Sequence, residues 1–172
     1  WQSRTRLDTG ELGSSGLRAS VSYLRKERDG FVDNLLNSSD SRDPSASTVD
    51  AVRTALSYDR GGGLKASYAF DFSNSKAMPV APQLTVVRPD LISFFAGSPA
   101  VGGGALTISP TRLDALNLDD FEFITDKVWG HTLTLEVNIG VATLRSLTGY
   151  RKWAQDVPNS DLDGVANLRG PL

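Results

Sequence analysis

The amino-acid sequence predicts an all-β fold, built as an antiparallel up-and-down meander of about six strands. Two observations carry that expectation. Apolar and polar residues alternate with period 2 along much of the 172 residues, the pattern of strands with two unlike faces, while the 3.6-residue period of helices is nearly absent. The connections between these runs also alternate in length, short and glycine-bearing at one side of the meander and long at the other.

The first two strand candidates, 1–7 and 17–27, are joined by "DTGELGSSG". In the second, Leu17, Ala19, Val21 and Tyr23 share one face, with Arg18, Ser20 and Ser22 on the other. Candidates three and four, 51–59 and 64–74, are joined by "RGGG"; Leu64, Ala66, Tyr68, Phe70 and Phe72 oppose Lys65, Ser67, Ala69, Asp71 and Ser73. The last pair, 128–137 and 141–152, is separated by little more than "NIG" and sets Leu133, Leu135, Val137 and Ile139 against Thr132, Thr134, Glu136 and Asn138. Glycine supplies the positive φ of tight turns. The other connections are "DGFVDNLLNSSDSRDPSAST" and residues 75–127, far beyond the usual loop length of about 12–15 residues. Within the longer one, "QLTVVRPDLISFFAG" (83–97) is the best candidate for a small lid or an additional strand pair.

Composition narrows the function classes. With 40% hydrophobic and 22% charged residues the chain is long enough for one ordinary domain with a core. A net charge of −2 gives no electrostatic reason to expect nucleic acid, which needs clustered Lys and Arg. The absence of cysteine removes disulfides, thiolate metal sites and cysteine nucleophiles. There is no run of about 18 apolar residues for a spanning helix.

Short turns at one end, long connections at the other, and strands with an apolar and a polar face are together the features of a transmembrane β-barrel. A soluble sandwich has no reason to gather its long connections at one end. The smallest closed bacterial barrels have about 8 strands, so six strands form part of a barrel. On this reading Arg18, Lys65, Asp71, Glu136, Arg145 and Arg151 face the lumen, because arginine toward lipid at mid-bilayer costs about 2–4 kcal/mol. Leu147 falls on the same face as the arginines and breaks the pattern. Phe72, Trp129, Tyr150 and Trp153, near strand ends, are candidates for an aromatic girdle at the headgroup level.

"TLRSLTGYRKW" followed by "SDLDG" resembles the strand and loop start, of the form (L/V)xSxTGYR with DxDG downstream, of the TonB-dependent outer-membrane receptors. "GLRASVSYLRKERDGFVDN", "VRTALSYDRGGGLKASYAFDFSN" and "WGHTLTLEVNIG" are similar to other strands of that family, in the same order, and together cover most of the chain. The resemblance implies a 22-stranded barrel filled by an N-terminal plug and energised by a TonB complex, importing a siderophore or similar small-molecule nutrient. It places the protein in the outer membrane of a Gram-negative bacterium, against lipid, with no cofactor. The chain contains no plug, TonB box or terminal aromatic strand, so residues 1–172 read as an internal segment of the barrel domain. Two other classes share parts of the pattern: a passive porin or autotransporter-type barrel, which lacks a plug and an energised partner, and a soluble secreted β-rich binding module, in which Tyr68, Phe70 and Phe72 face a core.

Chemistry-bearing residues are few. His131 is the only histidine, which excludes a His-based triad or a multi-histidine zinc site within the chain, and it reads as a strand-end residue near the interface. Asp114, Asp119, Asp120 and Glu122 cluster with Phe121 and Phe123 in the longest connection and form a candidate ligand-contacting loop for a cationic or metal-bearing molecule; a solvated acidic loop is the commoner use of such residues. Asp161 and Asp163 in "SDLDG" have calcium-ligand spacing, but the twelfth position of the loop pattern is Leu172, and a solvated turn fits better. The glycine runs lack the Lys-Ser/Thr of a phosphate loop. No nucleophile elbow, paired catalytic carboxylates or metal-ligand set appears, so the sequence gives no reason to expect an enzyme.

Overall fold

The period-2 runs form strands. A computed structural model of the protein describes residues 1–35, 43–97, 108–116, 118 and 122–158. Its elements in chain order are β1 (Gln2–Glu11), β2 (Leu17–Arg28), β3 (Asp33–Asn34), β4 (Ser47–Asp59), β5 (Leu64–Ala77), α1 (Pro89–Gly97), β6 (Ala115–Leu116), β7 (Ile124–Ile139) and β8 (Ala142–Asp156). The six long strands make one sheet in the order β1-β2-β4-β5-β7-β8, the expected meander. The sheet is open, with β1 and β8 at its two edges.

Every strand but the second runs several residues past its sequence-predicted limits. β4 starts at Ser47 rather than 51, and β7 starts at Ile124 rather than 128. The extensions carry "STVD", "SKA" and "ITDK", where alternation has faded. Backbone pairing continues there without the side-chain pattern that announces it. The β7–β8 hairpin is the tightest: Ile139 pairs with Ala142 across Gly140 and Val141, and Gly140 takes φ 71°, the positive value a II′ turn needs at its first central residue. A bulge between Asp8 and Glu11 interrupts the β1–β2 ladder.

The chain divides into two compact units, the first comprising Trp1–Glu27, Thr48–Lys76 and Thr125–Asp156. The second draws on Arg28–Ser47 and Ala77–Ile124, so the described parts of the long connections belong to a compact unit of their own. The buried apolar residues of the described chain, Val32, Met78, Leu116 and Leu118, all lie in this second unit, with Ala46, Ala81, Leu113 and Phe123 packed against them. The sheet contributes none.

Three devices hold the second unit together. The strands β3 and β6 pair in parallel, Asp33 with Ala115 and Asn34 with Leu116. The buried Asn34 side chain extends that pairing: its Nδ2 donates to the Leu118 carbonyl at 3.0 Å and its Oδ1 accepts from the Leu118 amide at 3.1 Å. Gln83 likewise binds the backbone of Ser109 and Thr111 and accepts from the Leu113 amide. At Gly30 there is no room for a side chain, since a Cβ would collide with that of Asp43 and lie 2.6 Å from the Pro44 carbonyl oxygen. Phe31, beside it, is flanked by the guanidiniums of Arg28 and Arg112, 5.1 and 5.9 Å from its ring centre.

Residues 89–97 form a helix where the sequence suggested a lid or strand pair. Pro89 at its first position, preset for helical φ, and Asp90 in the first turn are ordinary start signals. The short apolar run "LISFF" obscures them, because periodicity alone does not separate a buried strand from a short helix. Strand-like structure in this region is limited to a parallel bridge between Leu84 and Ile108.

The Asn34 clamp yields a test. In Asn34→Ala the Leu118 amide and carbonyl lose their partners, a penalty of about 1–3 kcal/mol. Hydrogen exchange at the Leu118 amide is expected to accelerate by roughly tenfold or more, with Leu133 in β7 unchanged. Unaltered protection at Leu118 would show that the clamp contributes nothing.

Candidate functional site

The registers sort the sheet into two faces. In β7 and β8, Glu136 lies opposite Arg145, Thr134 opposite Leu147, Gly130 opposite Arg151 and Val128 opposite Trp153 on one face. The other carries Leu135 opposite Ser146, Leu133 opposite Thr148 and His131 opposite Tyr150. Contacts between side chains extend both faces across the sheet. Arg151 pairs with Asp71 at 3.1 Å, which puts Asp71 on the first face together with Lys65, six residues earlier on the same strand, and Lys65 meets Asp59 at 3.2 Å. The Tyr68 hydroxyl meets His131 Nδ1 at 2.7 Å, which puts Tyr68, Phe70 and Phe72 on the second.

The first face is concave. One groove of about 470 Å³ is lined by five strands, from Arg6 and Asp8 on β1, through Arg18, Arg53 and Ser67, to Thr132 and Thr134 on β7. A second, of about 300 Å³, takes in Arg4, Arg6, Arg53 and Asp71. On a flat sheet β1 and β7 would stand roughly 19 Å apart, four strand spacings, and would share no groove. The sheet therefore curls toward its polar side, and its apolar side is convex.

That convex face is open. Leu133 is 39% exposed and Tyr150 58%, and Val21, Leu64 and Leu135 are exposed as well. Along β5 the apolar band runs from Leu64 to Phe72, about nine residues, close to the length that spans a bilayer core. Charge follows where the band stops. The Arg25 guanidinium and the Tyr23 hydroxyl both donate to the Asp50 carboxylate, at 2.8 and 2.6 Å, and Lys152 lies 5.3 Å from the Trp129 ring centre.

The six residues read as lumen-facing share one face of the open sheet. Arg151 and Asp71 pair, Lys65 meets Asp59, Glu136 and Arg145 are register partners, and Arg18 lines the larger groove. The four aromatic candidates separate. Phe72, Trp129 and Tyr150 share the convex face, whereas Trp153 projects to the concave side, its Nε1 donating to Asp126 at 3.0 Å. Trp153 is three residues beyond Tyr150, and an odd spacing on a strand reverses the face. His131 also departs from expectation: it stands in the middle of β7, between Tyr68, Phe70 and Tyr150, with ring centres 6.0, 5.1 and 6.2 Å away. Its bond to Tyr68 satisfies a polar atom among aromatic rings. Nothing in the structure explains Leu147, which is exposed on the concave face.

The acidic loop is only partly in view. Asp119, Asp120 and Phe121 lie outside the described residues, as do Asp161 and Asp163. Asp114 and Glu122 are exposed, and the Asp114 carbonyl accepts from the Asp33 amide. Phe123, expected at a ligand, packs against the small core. Among the described residues no three His, Cys, Asp or Glu side chains gather to hold a metal. Arg4, Arg6 and Arg53 were missed by sequence reasoning. The signal was the "RTR" alternation of β1, but its opposite face, Ser3, Thr5 and Leu7, is too polar to announce a half-buried strand.

No family model, curated protein or solved structure matches the chain. No helix among the described residues is long and apolar enough to cross a membrane, which leaves crossing by strands untouched.

Asp71 and Arg151 allow a calibration of the concave face. Their side chains are 32% and 68% exposed, so a double-mutant cycle with Asp71→Asn and Arg151→Gln, read by denaturant unfolding, is expected to give a coupling of at most about 1 kcal/mol. A coupling of roughly 3 kcal/mol or more would mean that the pair is desolvated.

Proposed function

We propose that this chain is a segment of the β-barrel of a TonB-dependent outer-membrane receptor, supplying membrane strands and extracellular connections to energised uptake of a siderophore or similar nutrient. The observation that carries the reading is the direction of curvature: the polar face is concave and the apolar face is convex and exposed. A sheet folded for water does the opposite, because fully burying one Leu, Val or Phe gains about 1.5–3 kcal/mol and leaving a whole face exposed forfeits that at every position. In a bilayer the same arrangement places leucine, valine and phenylalanine against acyl chains and arginine against water. The ordered resemblance of the sheet strands to this family's strands narrows barrel to receptor.

The remaining parts of the proposal follow from the family: an outer membrane of a Gram-negative bacterium, a plug filling the lumen, and a TonB complex acting through that plug. This segment provides the wall. Its described residues offer no catalytic constellation, and its contribution is a register that keeps charged side chains off the lipid.

Far-UV circular dichroism of the 172-residue chain, refolded in buffer and in detergent micelles with sedimentation in parallel, tests the reading. Strand signal that needs detergent, with aggregation in buffer, is the expected result. A soluble monomer that melts cooperatively in buffer would overturn it. In vesicles of bromine-labelled lipid, a variant retaining only Trp129 is expected to be quenched strongly, and one retaining only Trp153 weakly. Equal quenching would contradict the assignment of faces.

A further inference from the structure

The groove geometry points to a binding site for a small multivalent oxyanion, a molecule carrying two or three carboxylate or phosphate groups, on the concave face of β1, β2 and β4. The inference deepens the uptake reading above by naming a ligand class for this part of the wall, and it rests on that reading for its physiological meaning.

Four arginines converge on the two grooves. Arg6 and Arg53 line both, Arg18 lines the larger and Arg4 the smaller. Their nearest carboxylates are already engaged. Asp8 takes both bonds of the Arg6 fork, at 2.8 and 2.9 Å, and Asp71 is held by Arg151. Glu11, opposite Arg18 in register, accepts from the Gly16 amide instead, and Asp59 is paired with Lys65. Among the described residues, the side chains of Arg4, Arg18 and Arg53 make no ion pair or hydrogen bond, although Arg18 stands near enough to Asp59 to attract its carboxylate.

If these arginines served only to brace the sheet, an acid would be expected across from each. The register partner of Arg4 is Leu24, and that of Arg6 is Ser22. Arg4 and Arg53, with no acid paired to either among the described residues, and Arg18, whose nearest acids are engaged elsewhere, focus a positive potential into the groove. Each is a planar fork matched to a carboxylate or phosphate. Ser20, Ser67 and Thr132 add hydroxyl donors along the same wall. The larger groove, at about 470 Å³, has the capacity of an ordinary small-molecule site.

The test is calorimetric titration of the full chain, refolded in detergent micelles at low ionic strength, with propane-1,2,3-tricarboxylate and separately with pyrophosphate, glycerol serving as a neutral control. Saturable one-site binding of at least one anion is expected, and which of them binds separates a carboxylate from a phosphate ligand. Arg53→Gln should weaken binding about tenfold and Arg53→Lys by less, since the charge stays and the fork is lost. Arg145→Gln, on the same face but outside both grooves, should leave affinity unchanged. Absence of saturable binding by both anions overturns the proposal, as does an equal loss in Arg145→Gln, which would indicate diffuse charge. Circular dichroism of the same samples separates the two readings. A chain that folds without detergent and still binds keeps the site and loses the barrel, and a detergent-dependent chain that binds neither anion does the reverse.

Discussion

A strand offers its two faces to two environments, and the curvature of the sheet decides which environment each face meets. Here the polar face turns inward, and most other features follow from that constraint. The lack of buried apolar side chains among the described sheet residues, the position of the arginines, the satisfied histidine among aromatic rings and the charged residues beside Trp129 are all consistent with one boundary condition. A one-residue slip of β1, β2, β4 or β8 would carry arginine to the apolar side, and a slip of β5 or β7 would carry Lys65 and Asp71 or Glu136 there, so the charges of the polar face also fix the register.

Alternation made the sheet legible. Six strands, their order and the three glycine turns could be read from the sequence because period 2 persists for seven or more residues in β2, β5 and β7. The polar face was legible for the same reason, down to Arg145 and Arg151. Where alternation fails the reading failed with it. β1 is polar on both faces, so Arg4 and Arg6 gave no sign of which side they would take until β2 fixed their register. Curvature, which turns scattered arginines into a lined groove, has no signature in a single strand.

The second unit was the least legible part, for a different reason. Part of what holds it together is side chains that imitate backbone. Asn34 and Gln83 complete the hydrogen bonding of segments far away in sequence, and neither has a local pattern that reports it. The motif "RDGFVDN" becomes intelligible only with those partners present: Gly30 for the approach of Asp43 and Pro44, Phe31 for two guanidiniums, Val32 for the core, Asn34 for Leu118. A helix of nine residues with an apolar centre is too short for its period to stand out.

The clamp between Asn34 and Leu118 spans 84 residues and encloses the entire β4–β5 hairpin. Closing a loop of that length costs about 2–3 kcal/mol more chain entropy than closing a four-residue turn, so the clamp is unfavourable until the intervening hairpin has shortened the distance between its ends. The hairpins need no such help, being joined by a few residues each. Loop entropy therefore favours the three local hairpins forming before the buried amide of Asn34 closes on Leu118.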